Sequence, residues 1–141
     1  TNLKYIMKKT LVSVYGSLRF KMHNHNHYLK DAKLLGTYTT EPIYNLHSLG
    51  SFPALKLNGN HSIVMEVYEV DEDTLKNLNR LEGYCPGEKS TFYDRIEINT
   101  PWGKAYTYIY VNKLSKDSIV ESGNWVAYKN EQKSWSSVTN N

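Results

Sequence analysis

Two short stretches of this chain carry residue types whose placement could support chemistry. The first is Tyr15-Gly16-Ser17-Leu18, which follows the apolar, β-branched run Leu11-Val12-Ser13-Val14. A glycine where a buried strand ends lets consecutive amide N–H groups face one space. Such a nest binds anions, carboxylates included, without a side-chain charge. A strand-Gly-Ser turn is also an ordinary structural feature. The second is Glu82, in the last turn of a predicted helix and just ahead of Gly83. The negative end of the helix dipole disfavours a carboxylate, so its pKa is expected to rise. An acid that breaks a local rule marks a candidate site, because functional sites are where local rules fail. The structural reading of Glu82 is an exposed side chain, or a partner of Arg80 or Arg95.

The elements that must position these residues are legible from periodicity and punctuation. Leu11 to Tyr15 reads as a buried central strand opening at Gly16. Lys33 to Tyr38 and Ile43 to His47 read as further strands, and Leu49 to Pro53 as a turn. Ala54 to Leu57 and His61 to Val70 flank Asn58-Gly59-Asn60, which predicts a hairpin between them. Asp71 to Leu81 is the clearest helix: Asp71 caps it, Glu72 and Asp73 suit its positive end, and Leu75, Leu78 and Leu81 form one stripe. Gly83 stops it. A loop from Tyr84 to Thr91 leads to strands at Phe92 to Asn99 and Lys104 to Val111, joined by Pro101-Trp102-Gly103. Ser118 to Tyr128 reads as a second short helix or a turn. At least six short strands with one or two helices indicate an α+β fold on a small mixed or barrel-like sheet.

Other chemistry-bearing residues were weighed beside these. His23, His25 and His27 alternate with Asn24 and Asn26, and on a strand would present three imidazoles on one face. No Cys, fourth His or obvious acidic partner lies nearby in sequence, and loops are often His- and Asn-rich, so no metal is assigned. Tyr106, Tyr108 and Tyr110 share a face of a predicted strand, lining a cavity or packing under a helix. Tyr93 and Arg95 share another face, and Arg95 is read as a structural partner of an acid or a holder of a substrate carboxylate. Cys85, in a Cys-Pro-Gly turn, has no His placed beside it and reads as a bystander.

With 141 residues and no internal repeat, the chain fits one domain. Apolar residues at 40% and charged residues at 22% exclude a disordered or fibrous chain. No apolar run reaches the ~20 residues of a membrane span. The net charge of +3 is scattered, and only Arg19, Arg80 and Arg95 are arginines beside fourteen lysines. Base and phosphate reading favours Arg, so nucleic-acid binding is not expected. The single cysteine excludes an internal disulfide and fits a reducing, cytoplasmic setting. Met7-Lys8-Lys9-Thr10 reads like a natural start, which leaves residues 1–6 as an upstream extension or a cloning remnant. The apolar stretch after Lys9 is too short for a signal peptide. The domain is expected over residues 7–130, with 131–141 as a frayed tail.

The residues also carry a resemblance. Val14-Tyr15-Gly16-Ser17-Leu18-Arg19, then Asn24 or Asn26 with Leu29, then Leu34-Leu35-Gly36 resemble the opening of the γ-glutamylcyclotransferase-like family. Leu46, Gly50 and Phe52-Pro53-Ala54-Leu55 resemble its next block, and Val64 to Val70 its "GEvYeV" strand. Leu75, Leu78, Leu81-Glu82-Gly83-Tyr84 and Tyr93-Asp94-Arg95 resemble "L..LD.LEGY…Y.R". Ala105 with Tyr108 to Val111 matches "A..Yvy", and Ser122-Gly123-Asn124-Trp125 resembles "sGdW". The match runs in order from about Val12 to Tyr128.

The resemblance implies a small mixed β-barrel with flanking helices and a cavity for a γ-glutamyl group. It implies that the backbone of Tyr15, Gly16, Ser17 and Leu18 holds the substrate's α-carboxylate, with Tyr93 also at the substrate, and that Glu82 is the catalytic acid and base. In the characteristic reaction the substrate's α-amine attacks its own γ-carbonyl, releasing an amine and 5-oxoproline without metal or organic cofactor. The expected partner is thus a small γ-glutamylamine or γ-glutamyl peptide, with the protein a monomer or weak homodimer. Met65 stands where the family has Gly and is expected to narrow the cavity; Asn79 stands for the family's Asp. The long loop from Tyr84 to Thr91 resembles that of bacterial and viral members and is expected to set specificity. The competing reading is a non-catalytic module that sequesters a small metabolite or signalling molecule in the same cavity.

Overall fold

The computed structural model describes residues 9–139, with side chains described to residue 133. The expectation for residues 1–6 lies outside the described residues. Among the described residues, seven strands and three α-helices form an α+β fold. In chain order they are β1 (Thr10–Val14), α1 (His25–Tyr28), β2 (Lys33–Thr39), β3 (Tyr44–Ser48), β4 (Pro53–Leu57), β5 (Val64–Val70), α2 (Glu72–Glu82), β6 (Tyr93–Thr100), β7 (Gly103–Tyr110) and α3 (Trp125–Thr139). A 3-10 turn at Lys116–Ser118 precedes α3. The last helix thus begins near the end of the expected Ser118 to Tyr128 element and runs on into the segment read from sequence as a tail.

The strands form a five-stranded sheet, β2-β5-β1-β7-β6, and a separate β3-β4 hairpin. Apolar and β-branched β1 sits at the centre, antiparallel to β5 with Val14 opposite Glu66, and parallel to β7. Alternating side chains serve two cores. Val12 and Val14 pack with Tyr68, Val70, Tyr108 and the Leu78 of α2. On the other side, Met65 and Ile98 pack with Leu46, Leu55 and Trp125. No closed barrel forms: Trp102 bridges to Tyr38 at a centroid distance of 6.2 Å and covers Gly36, while an open groove separates the edge strands β2 and β6 farther along.

One turn works differently from its sequence signal. Asn58 does adopt positive φ, at 61°, but β4 pairs with β3, and the chain after Asn60 crosses to the other sheet. Local turn chemistry fixed the bend. Partner choice was decided by contacts across the chain: His61 bridges Tyr44, and Gly59 packs on the Tyr44 carbonyl where no Cβ fits. The hairpin turn itself is Leu49 to Phe52, closed by the Leu49 N–H donating to the Phe52 carbonyl at 2.8 Å.

Candidate active site

Where β1 ends, the chain turns back through Gly16, with the Arg19 N–H donating to the Gly16 carbonyl at 2.9 Å. Gly16 is required here by close approach: the Pro53 ring lies where a Cβ would sit, and the φ of Gly16 is not positive. The turn therefore rests on the start of β4. The N–H groups of Gly16, Ser17 and Leu18 have no acceptor among the described residues. Ser17 is held from behind, its hydroxyl accepting from Asn24 Nδ2 at 2.8 Å and its carbonyl from the Asn24 N–H at 3.0 Å.

A buried ion pair anchors the far side of this turn. Arg19 Nε donates to Glu66 Oε2 at 2.7 Å and another guanidinium nitrogen donates to Asn124 Oδ1 at 2.9 Å. The second Glu66 oxygen accepts from the Phe20 N–H and the Tyr68 hydroxyl, both at 2.8 Å. A buried charge is tolerated when it is paired and its lone pairs are filled. Central β5 thereby fixes where the Tyr15 to Leu18 amides lie.

Opposite the turn, α2 delivers Glu82. The helix begins with Asp71 accepting from the Thr74 N–H at 2.8 Å, a cap worth about 1 kcal/mol. It ends at Gly83, whose left-handed φ of 71° lets its N–H donate back to the Arg80 carbonyl. Leu78 is buried and Leu75 half-buried, as the stripe requires, while Leu81 turns out toward the cavity. Asn79 clamps the helix to β7, its Oδ1 accepting from the Tyr108 hydroxyl at 2.7 Å and from Arg95. That clamp sets the last turn, and with it Glu82, against the sheet.

All the candidate residues line one cavity of about 420 Å³: Tyr15, Gly16, Ser17, Leu18, Glu82 and Tyr93. Burial pushes the Glu82 carboxyl up from its usual 4.5 to about 7. Desolvation is the cause, where the sequence pointed to the helix dipole. Neither Arg80 nor Arg95 pairs with it: among the described residues the salt bridges are Arg19 with Glu66 and His61 with Glu121. No enclosed side-chain nitrogen or oxygen lacks a partner among the described residues, so the unpaired Glu82 oxygens open onto the cavity. Its charge in turn helps push the Tyr15, Tyr93 and Tyr108 phenols upward, after the larger effect of their own burial. Each phenol already gives its proton away at 2.7 Å: Tyr15 to the Tyr108 carbonyl, Tyr93 to the Pro53 carbonyl and Tyr108 to Asn79. Their raised pKa values keep them neutral.

Several sequence expectations change here. Met65 lies on the opposite face of β5 from Glu66, packs in the Trp125 core and does not line the cavity. No residue of the Tyr84 to Thr91 loop lines it either; Phe92, just after the loop, does, as do Leu49 and Phe52 of the β3-β4 turn. The tyrosine face divides: Tyr108 and Tyr110 line the cavity, whereas Tyr106 stacks under the Arg95 guanidinium at 3.9 Å. Arg95 also lies over the Tyr84 ring, 4.7 Å away, and so braces the helix end. The histidine tract is a turn and one helical turn, which separates its imidazoles: His25 is buried beside Phe20 and Tyr68, while His23 and His27 are exposed. Among the described residues no three metal-ligating side chains cluster. Cys85 is exposed. Asn24, Pro53 and Tyr108 carry the site's frame, and the partners of Pro53 and Tyr108 are distant in sequence, which hides their role there.

The α+β scaffold sets one desolvated carboxyl facing a strand-end turn across a cavity of small-molecule size. The chain belongs to the gamma-glutamyl cyclotransferase, AIG2-like family, whose model matches residues 12–127. The gamma-glutamylcyclotransferase family protein YtfP of Escherichia coli K12 is 36% identical over 115 residues, which are 82% of this chain and 95% of that protein. The gamma-L-glutamyl-butirosin B gamma-glutamyl cyclotransferase of Niallia circulans is 34% identical over 123 residues, covering 82% of this chain and 75% of that one. Among solved structures, PH0828 from Pyrococcus horikoshii superposes with a TM-score of 0.73 at 31% identity, over 88% of this chain and 96% of its own.

Proposed function

We propose that the protein cyclises a γ-glutamylamine or γ-glutamyl peptide, releasing the amine and 5-oxoproline, with Glu82 as the proton carrier. The observation that carries this is the Glu82 carboxyl, unpaired and opening onto the same cavity as the free Gly16, Ser17 and Leu18 amides, with burial pushing its pKa up to about 7. The amides take the substrate's α-carboxylate, a charge that backbone donors hold without a competing cation. The Tyr93 oxygen accepts from the substrate's amino group. With the carboxylate anchored, the chain curls so that α-nitrogen and γ-carbonyl carbon meet as an intramolecular pair.

The α-ammonium gives a proton to the Glu82 carboxylate, and its nitrogen attacks the γ-carbonyl carbon. As the tetrahedral intermediate collapses, the bond to the departing nitrogen breaks, and that nitrogen takes the proton back from the Glu82 carboxylic acid. The ring nitrogen's remaining extra proton leaves through the same carboxylate or water. A group titrating near the working pH serves both halves, for a contribution of ~10²–10⁴-fold. A module that only sequestered an anionic ligand would gain nothing from a desolvated carboxyl beside it. Incubating the protein with a panel of γ-glutamyl amines and peptides and measuring 5-oxoproline by mass spectrometry tests the reading. Release from at least one compound is expected; no release from any member, with ligand bound, would return the cavity to the sequestering role.

A further inference from the structure

The amide turn and Glu82 supply polar groups to the cavity, while four large apolar side chains and Arg80 gather at its mouth. Leu49, Phe52, Leu81 and Phe92 all line it while remaining 38%, 53%, 37% and 56% exposed. They come from three segments far apart in sequence: the β3-β4 turn, the end of α2 and the residue before β6. Large apolar side chains gathered on an open rim mark a surface meant to be covered.

These segments are held in place. The Tyr93 hydroxyl donates to the Pro53 carbonyl at 2.7 Å, joining the two residues that directly follow Phe92 and Phe52. Pro53 in turn packs against Gly16, which ties the rim to the amide floor. The tip of the β3-β4 turn is pinned from α3, where Lys129 Nζ donates to the Gly50 carbonyl at 3.2 Å. Arg80 shares the rim, is exposed, and has no acid within ion-pair distance among the described residues.

We propose that Leu49, Phe52, Leu81 and Phe92 form the subsite for the departing half of the substrate. The amine released then carries an aromatic or branched aliphatic body and no cationic group besides the departing nitrogen itself. This inference rests on the cyclotransferase reading above. With the α-carboxylate on the turn amides and the reacting carbonyl near Glu82, the amine substituent is the part of the substrate left to reach the mouth. There an apolar body displaces water from four apolar side chains, whereas a cationic tail gains nothing from them and meets the like charge of Arg80.

The test compares γ-glutamyl-phenethylamine and γ-glutamyl-isoamylamine with γ-glutamyl-putrescine. We expect kcat/KM at least about ten-fold higher for the first two, the scale on which an apolar pocket discriminates. Phe52→Ser and Phe92→Ser should each bring the values within a few-fold, through KM for the apolar compounds, and Arg80→Glu should raise the value for the putrescine compound. Equal or better turnover of the putrescine compound by the parent, or a preference untouched in both serine variants, would overturn the subsite. Absence of 5-oxoproline from all three leaves the subsite to binding, and absence from the whole panel is the failure of the underlying reading. In that event, calorimetric binding of the same compounds to Glu82→Gln decides the subsite: tighter binding of the apolar pair supports it, and equal or absent binding overturns it. If the rim is instead covered by a second copy of the chain, a concentration-dependent dimer will be lost in Phe92→Ser with substrate preference unchanged, which also overturns it.

Discussion

Glu66 and Glu82 are the same residue on neighbouring parts of one small fold, and their surroundings give them opposite characters. Glu66 sits in central β5 with both oxygens occupied, by Arg19 on one and by Phe20 and Tyr68 on the other. Glu82 sits at the end of α2 with neither a cation nor a described donor on it, and burial raises its pKa to about 7. The first carboxylate is fully partnered and holds the Tyr15 to Leu18 turn in place. The second is left poised between two states. A desolvated acid is useful for proton transfer only when its neighbours withhold the partners that would settle its charge.

The sharpest way to break this contrast is Glu82→Gln, which keeps shape and reach but carries no proton. Turnover of any accepted γ-glutamyl substrate is expected to drop roughly 10²-fold or more, with a much smaller loss of affinity, measured by 5-oxoproline release and calorimetry. Equal activity in parent and variant would remove Glu82 from the chemistry. Glu66→Ala should act on stability instead, costing about 3–5 kcal/mol in urea unfolding because Arg19 is left buried and unpaired. The double variant Arg19→Met/Glu66→Met should recover most of that loss, since an apolar pair leaves no uncompensated charge.

The pH dependence follows with its sign. The folded-state pKa of Glu82, about 7, lies above its ordinary 4.5, so between those values the folded protein holds a proton that the unfolded chain has released. That contribution to stability is complete below about pH 4.5 and is lost as pH rises to about 7. The loss should amount to about 1–3 kcal/mol, given 1.36 kcal/mol per pKa unit and a carboxyl that partly faces the cavity. The difference in unfolding free energy between Glu82→Gln and the parent, followed from pH 5 to pH 8, should show it as a relative gain by the variant. Activity should run the other way: kcat/KM of the parent should fall below about pH 7 as the carboxylate is lost, a limb absent from the residual activity of Glu82→Gln. The smallest effect is expected at Asn24→Ala. Loss of its hydrogen bond to Ser17, worth about 1 kcal/mol, should loosen the amide turn and raise KM about five-fold with kcat nearly unchanged.

The local elements of the fold were legible because their signals are local. The α2 helix follows from Asp71, the leucine stripe and Gly83, and β1 from its apolar run, since caps and periodicity act within a few residues. The family, too, was readable, because its motifs keep their order along the chain. The partners were not. Asn58-Gly59-Asn60 specifies a bend but cannot say which strand lies across it, and β4 pairs with β3 while His61 bridges back to Tyr44. Likewise, Glu82 stood out in sequence for its place on the helix, yet the cause of its raised pKa is desolvation by a cavity that distant segments assemble. Sequence alone determined which residues could bend, cap and carry a proton, for those are properties of single residues and their nearest neighbours. Tertiary structure decided which acid is quenched and which is left free, and that apolar Phe52 and Phe92 meet at one mouth, because burial and pairing depend on what the rest of the chain brings alongside.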